Sequence, residues 1–347
     1  MKASFTPQEL TQMSANELID KMTKGEVSIV GAFKRKKLLR ELCLGKAGAK
    51  FIIWLSQLRT KNSDGATKRQ ALCKALKKVA PYEKSSNILE GLDGFGAIFA
   101  FNHPSLGEIL RLIEYCSDLF PKKQLLFPVT VAWFETLAPK FNFLKSIGIT
   151  ITPTITPTAF EEILNGNDEY KDDLDTLTKK LSAYYLELVK ETLEKNGIVL
   201  VAPSATRKQF LFDSEAQKDG LESIEPQTLS FIVTQLRNLS PGLDYVLYPI
   251  CVIPPEFYST GLNLFEKYTL EAGSYLNSCE AEAMAKKRVE PRPPFLLNDD
   301  KRSKRNKAPR KLEYWFLQTM AEIFDEYDRS QYIVKTNVPD VIDKWED

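Results

Sequence analysis

The chain has one histidine, His103, among its 347 residues. That scarcity restricts the chemistry at once. A zinc centre built on several imidazoles is excluded, and histidine-dependent proton transfer has a single place to occur. The five cysteines, Cys43, Cys73, Cys116, Cys251 and Cys279, are scattered without a C-x-x-C pair. They read as reduced thiols of a cytoplasmic protein, with no metal site among them. Neither sign of charge is in excess, since 47 Lys and Arg stand against 46 Asp and Glu. Such a balance offers no overall field for nucleic acid, which is not expected as a partner. No apolar run reaches the roughly 20 residues that cross a bilayer. The polar start MKASFTPQELTQ lacks the apolar segment of a secretory signal. Also missing are a G-x-S-x-G elbow, a G-x-x-x-x-G-K-[ST] loop and a G-x-G-x-x-G fingerprint, so serine hydrolases of that type and the common nucleotide folds are set aside.

What is present is a globular composition, 43% hydrophobic and 27% charged, in a chain long enough for one large core or for a main domain and a small one. Residues 1–80 read as an N-terminal helical domain. Leu10, Met13, Leu18 and Met22 share one loose helical face, Phe51 to Leu58 a second, and Leu72, Leu76 and Val79 a third. Pro81 and the polar Glu83-Lys84-Ser85-Ser86 stretch read as a linker. From 85 to 285 the texture is that of an α/β domain, with a mixed central sheet flanked by helices. Ala97–Phe101, Leu125–Val131 (with Pro128 inside it), Ile198–Ala202 and Tyr245–Val252 are strand candidates. Between them lie helical stripes at Leu177, Leu181, Tyr184, Tyr185 and Leu188, stopped by Asn196-Gly197, and at Leu229, Ile232, Val233 and Leu236. The Thr-Pro stretch at 151–158 reads as an extended wall. Residues 286–311 form a basic, proline-containing loop, and 312–328 an amphipathic helix carrying Leu312, Trp315, Phe316, Met320, Ile323, Phe324 and Tyr327.

The segment GAIFAFNHPSLGEILRLIEYC joins a strand to a helix through Asn102-His103-Pro104. Pro104 suits a first helical turn, where its missing N–H costs nothing. His103 therefore falls at the carboxyl end of a strand, where chemistry gathers in α/β sheets. A helix N-terminus disfavours imidazolium and keeps the ring neutral and basic. Glu108, five residues on, can orient the ring and stabilise the charge that proton transfer creates. The same Ser105-x-x-Glu108 spacing is also that of a capping box, in which Glu108 serves only the helix start.

These residues carry a resemblance. Ile88-Leu-Glu-Gly91 followed by AIFAFNHPS and an acid five residues after the histidine resembles the first motif of the glycerolipid and lysophospholipid acyltransferases, NH followed by four residues and Asp. Phe143-Leu-Lys-Ser-Ile-Gly148-Ile-Thr-Ile is similar to the approach to the second motif. Gly197-Ile-Val-Leu-Val-Ala-Pro203-Ser-Ala-Thr206-Arg207 is similar to the third, and Val246-Leu-Tyr-Pro249-Ile to the fourth. The match spans about residues 88–255. Three departures accompany it. Glu108 replaces the family's Asp, Ser204-Ala205 replace Glu-Gly in the third motif, and the second-motif Arg has no counterpart in Ile151-Thr-Pro153-Thr-Ile-Thr-Pro157-Thr.

The resemblance implies a glycerol-phosphate acyltransferase-like fold and transfer of an acyl group from coenzyme A or acyl carrier protein to a hydroxyl of a glycerolipid-like acceptor. It implies His103 as general base, Glu108 as its orienting acid, and backbone N–H groups at the helix start for the oxyanion. Arg207, with Thr206, Ser204 and Lys208, would contact the acceptor, since an arginine can fork onto a phosphate. No cofactor or metal is called for beyond the acyl thioester. The departures support a second reading, a relative that binds a lipid or acyl chain without turning it over. The expected location is the cytoplasm, with the basic loop in peripheral contact with the inner face of an anionic membrane. The aromatic face of the last helix either adds an interfacial anchor or packs on the α/β core, as such helices more often do.

Overall fold

The computed structural model describes residues 5–33, 64–79, 82–84, 92–102, 108–164, 168–203, 228–253, 268–287 and 310–326. In chain order the helices are α1 (Pro7–Gln12), α2 (Ala15–Thr23), α3 (Ile29–Ala32), α4 (Gly65–Val79), α5 (Glu108–Leu119), α6 (Val131–Leu137), α7 (Phe141–Ser146), α8 (Pro157–Leu164), α9 (Lys171–Glu194), α10 (Thr228–Leu239), α11 (Ser278–Lys286) and α12 (Lys311–Glu326). The strands are β1 (Tyr82–Lys84), β2 (Gly96–Phe101), β3 (Leu125–Thr130), β4 (Ile149–Thr154), β5 (Ile198–Val201), β6 (Tyr245–Ile253), β7 (Tyr268–Ala272) and β8 (Leu276–Asn277). The class is mixed α/β, with a mostly parallel sheet flanked by helices. Two compact units divide the chain, Met1–Ala75 with Cys116–Val199, and Leu76–Tyr115 with Leu200–Asp347.

In the first unit β3 pairs in parallel with β4 along its length, and with β5 through Leu125 opposite Ile198 and Leu126 opposite Val199. That short second pairing accounts for Pro128 inside β3. It lies beyond the last residue paired with β5, so no ladder donor is asked of it on that side. The long helix α9 buries Leu174, Leu177, Leu181, Tyr185, Leu186, Val189 and Leu193, the repeat of an amphipathic face. The helix ends where Asn196 takes a positive φ of 55°. Gly197 is then obligatory, because a Cβ there would lie 2.8 Å from the Thr192 carbonyl oxygen and 3.0 Å from that of Gln124. The close approach lets Ile198 donate to Gln124 at 2.7 Å and start β5.

The amino-terminal helices are tied into this unit through their ends, where backbone groups lack intrahelical partners. Lys180 of α9 donates to the carbonyls of Thr11, in the last turn of α1, and Met13, just after it. Glu135 of α6 accepts from the Ser28 hydroxyl at 2.6 Å and the Val30 N–H at 3.1 Å at the start of α3. The loose stripe from Leu10 to Met22 is two helices instead of one. Ser14 breaks it by capping α2, accepting from the Glu17 N–H, and all four apolar residues are still buried.

In the second unit β2 and β6 pair in parallel from Gly96 opposite Tyr245 to Phe101 opposite Ile250. On its other side β6 meets β7 and β8, both antiparallel. The two pairings leave Tyr248 and Pro249 between them, so the proline sits where the neighbouring strand is interrupted. β1 pairs in parallel with β7, Tyr82 opposite Tyr268. Tyr82–Lys84 is therefore a strand and not part of a linker. The apolar face of α12 packs against β6, α10 and α11. Leu312, Phe316, Met320 and Ile323 are buried, and Trp315 is half-buried. Each fully buried side chain of this size contributes about 1.5–3 kcal/mol. The helix thus spends its apolar face on its own unit, and Phe316 is not free to anchor at a membrane. Among the described residues no helix is long and apolar enough to cross one.

Candidate functional site

β2 is buried at every position, and so is β5. Asn102 follows β2 directly and is 6% exposed. Its Nδ2 donates to the Val252 carbonyl at 2.8 Å, and the Val252 N–H donates to its Oδ1 at 2.6 Å. The side-chain amide thus supplies one donor and one acceptor to β6, as a further peptide unit of β2 would. Because β2 and β6 run parallel, the chain leaves both at the same edge of the sheet, the edge where ligands gather in this class. The clamp holds the position immediately before His103.

The helix on the far side of the segment begins, among the described residues, at Glu108. It is held by polar groups that point inward. Arg111 is completely buried, and its guanidinium lies 3.6 Å from the centre of the Tyr268 ring in β7. A desolvated cation–π contact of this kind is worth about 2 kcal/mol. Lys77 of α4 comes within 3.8 Å of the buried Glu114 carboxylate. Cys251 stands beside the clamped Val252. Burial first, and the Glu271 charge second, push its thiol well above the ordinary value, which leaves it protonated and without a nucleophilic role near neutral pH.

Of the residues singled out in the sequence, His103, Ser204, Thr206, Arg207 and Lys208 lie outside the described residues. Glu108 is described as the first residue of α5. The basic loop is described only at its two ends. There the Arg310 guanidinium donates to the Lys286 carbonyl at 2.9 Å, and the Lys311 N–H donates to that of Lys287 at 2.9 Å. Sequence reasoning missed the Asn102 clamp and the buried Arg111. An amide closing a wholly apolar strand run was the available signal for the first. An arginine among Leu110, Leu112 and Ile113 was the signal for the second. Among the described residues no group of three or more His, Cys, Asp or Glu is placed to hold a metal ion. No protein-family model matches the chain, and no curated protein matches it.

Proposed function

We propose that the chain is an O-acyltransferase of the glycerol-phosphate acyltransferase-like form, using acyl-CoA or acyl carrier protein as donor and a glycerolipid-like hydroxyl as acceptor. His103 takes the acceptor's hydroxyl proton, and Glu108 orients the ring. The acceptor oxygen attacks the thioester carbonyl carbon, the C–S bond breaks, and the leaving thiolate takes up the proton. Arg207, with Ser204, Thr206 and Lys208, contacts the acceptor. The supporting observation is the frame around the motif. The residue before His103 is buried and clamped to β6, and the acid at the motif's far end lies in α5, among the described residues its first. The test is a thioester-consumption assay on the full chain against a panel of acyl donors and acceptors. Thiol release dependent on acceptor supports the reading. Saturable acyl-chain binding with no release favours the inactive relative that Glu108, Ser204 and the missing second-motif Arg point to.

Glu108 separates an orienting acid from a helix cap. If it orients His103, Glu108→Gln cuts turnover by about 10²-fold or more and Glu108→Asp retains part of it. If it only caps the helix, both changes cost about 1 kcal/mol of stability and leave turnover per folded molecule intact. Melting and turnover measured on the same samples decide between them.

The reading also places an apolar product at a membrane surface, which leaves docking to the basic residues of the 286–311 loop. Each contributes about 1 kcal/mol near an anionic leaflet, and salt weakens the attraction. Binding to anionic vesicles is expected to fall with salt and to be lost when Lys301, Arg302, Lys304 and Arg305 become Gln. Equal partition onto neutral vesicles would refute it.

A further inference from the structure

β3 runs parallel to both β4 and β5, so the loops that enter the three strands meet at one edge of the first unit. Leu125 donates to the Gly148 carbonyl at 2.8 Å and Ile198 to that of Gln124 at 2.7 Å, which joins the three loops. The first turns of α4 lie against two of them. A Cβ on Gly65 would stand 2.6 Å from the Ser146 carbonyl oxygen. One turn on, Arg69 is only 4% exposed, and its guanidinium donates to the Ser117 hydroxyl at 3.0 Å and to the Lys123 carbonyl.

This edge presents charge of one sign. Lys68, Lys122 and Lys145 are the sequence neighbours of the contact residues Arg69, Lys123 and Ser146. Lys122 and Lys145 are exposed and Lys68 is half-buried. None of the three forms an ion pair among the described residues. Beneath them Arg69 keeps its charge, because a guanidinium does not lose its proton in a protein. Its two acceptors are neutral, and its Nη2 has none among the described residues. The acids nearby are engaged or stand at the rim. Asp64 accepts from the Thr67 N–H at 2.7 Å, and Glu191 lies 3.7 Å from Lys195. Asp118 and Glu194 belong to the last turns of α5 and α9. Residues 65–75, 119–134 and 136–148 together hold seven Lys and Arg and no Asp or Glu, in a chain whose two signs balance. Such a local excess makes a positive field that the whole molecule lacks.

We propose that this edge of the first unit is a docking surface for an anionic lipid bilayer, with Lys68, Lys122 and Lys145 meeting the headgroups. Lipid is favoured over other polyanions by what stands among the lysines. Leu119 and Phe143 are half-buried and Pro121 is exposed, and apolar groups beside basic ones suit the boundary between headgroups and acyl chains. The sequence leading into α4 has the same character. Residues 34–63, outside the described residues, carry nine Lys and Arg against Glu41 alone, with Phe51, Ile52 and Trp54 among them. The inference goes beyond the acyl-transfer reading and does not rest on it. The surface is also separate from the 286–311 loop.

Each lysine near an anionic leaflet strengthens binding about fivefold, and salt weakens the attraction. The test is co-sedimentation of the full chain with vesicles of phosphatidylglycerol in phosphatidylcholine, with no acyl donor or acceptor present. Changing Lys68, Lys122 and Lys145 together to Gln, with the 286–311 loop intact, is expected to lower the partition coefficient about 10²-fold. If that variant melts early, Lys122→Gln alone serves, with a loss of about fivefold. The control changes Lys24, Lys179 and Lys190 to Gln. These lysines already face Asp20, Asp175 and Glu187, so their loss should change partition less than about threefold. Equal losses in the two triple variants would reduce the effect to net charge and overturn the proposal. So would equal partition of the parent onto phosphatidylcholine alone, or its release from the vesicles by inorganic phosphate at the concentration of the lipid phosphate. Tighter binding to a duplex oligonucleotide than to the vesicles, dependent on the same three lysines, would also overturn it.

Discussion

Asn102→Ala is expected to lower the stability of the folded chain by about 2–6 kcal/mol. The estimate follows from what the substitution leaves behind. Val252 would keep a buried N–H and a buried carbonyl with no partner on the β2 side, and each unsatisfied group costs about 1–3 kcal/mol. Asn102→Asp should not rescue the loss. Its second carboxylate oxygen would face the Val252 carbonyl where an N–H donor is needed, and it would bury a charge. Asn102→Ser should fail as well, because its hydroxyl is too short to span both groups. Denaturant unfolding of the three variants with an unchanged slope measures the effect. A loss under about 1 kcal/mol for the alanine variant would show that the two bonds contribute little.

His103→Ala is expected to lower acyl transfer about 10²–10⁴-fold while the protein remains folded, since that is the range general-base catalysis supplies. The histidine is the only one in the chain, so no neighbouring imidazole can replace it. The comparison with Asn102→Ala is informative. Losing the clamp should move stability first and activity through it, whereas losing the base should move activity alone. Turnover equal to the parent in a well-folded His103→Ala variant removes His103 from the mechanism and, with it, the acyltransferase reading in this form.

Three of the four strands expected from the sequence are buried on both faces, and the fourth, β3, is buried only over Leu125–Phe127. Ala97–Phe101, Ile198–Val201 and Tyr245–Ile253 are unbroken apolar runs, and the fold places strands on all three. β1, β7 and β8 carried no such signal. Tyr82-Glu-Lys84 is short and mostly polar, and Tyr268-Thr-Leu-Glu-Ala272 holds a carboxylate in its middle. They become strands by pairing with partners elsewhere in the chain, Tyr82 with Tyr268 and Ala272 with Ile250. β4 lies between these cases, since the Thr-Pro stretch at 151–158 read as extended without its parallel partner β3 being visible, and it is a strand only to Thr154, while Pro157 and Thr158 start α8. The candidate site divides in the same way. The His103–Glu108 spacing and the strand ahead of it are properties of adjacent residues. The Asn102 clamp joins positions 150 residues apart.

By itself the sequence determined the alternation of strands and helices, the stop after α9 at Asn196-Gly197, the apolar faces of α10 and α12, and the single position open to a histidine base. These are local, because periodicity and turn chemistry act over a few residues. Only the tertiary structure decided which polar groups would be buried and what would satisfy them: Asn102 on Val252, Arg111 on Tyr268, Glu313 on Ser230. It also decided that the aromatic helix would turn inward, because α12 needed β6 and α11 beside it before its apolar face had anything to cover. A buried polar group costs free energy unless a partner meets it, and for each of these three the partner comes from a distant part of the chain.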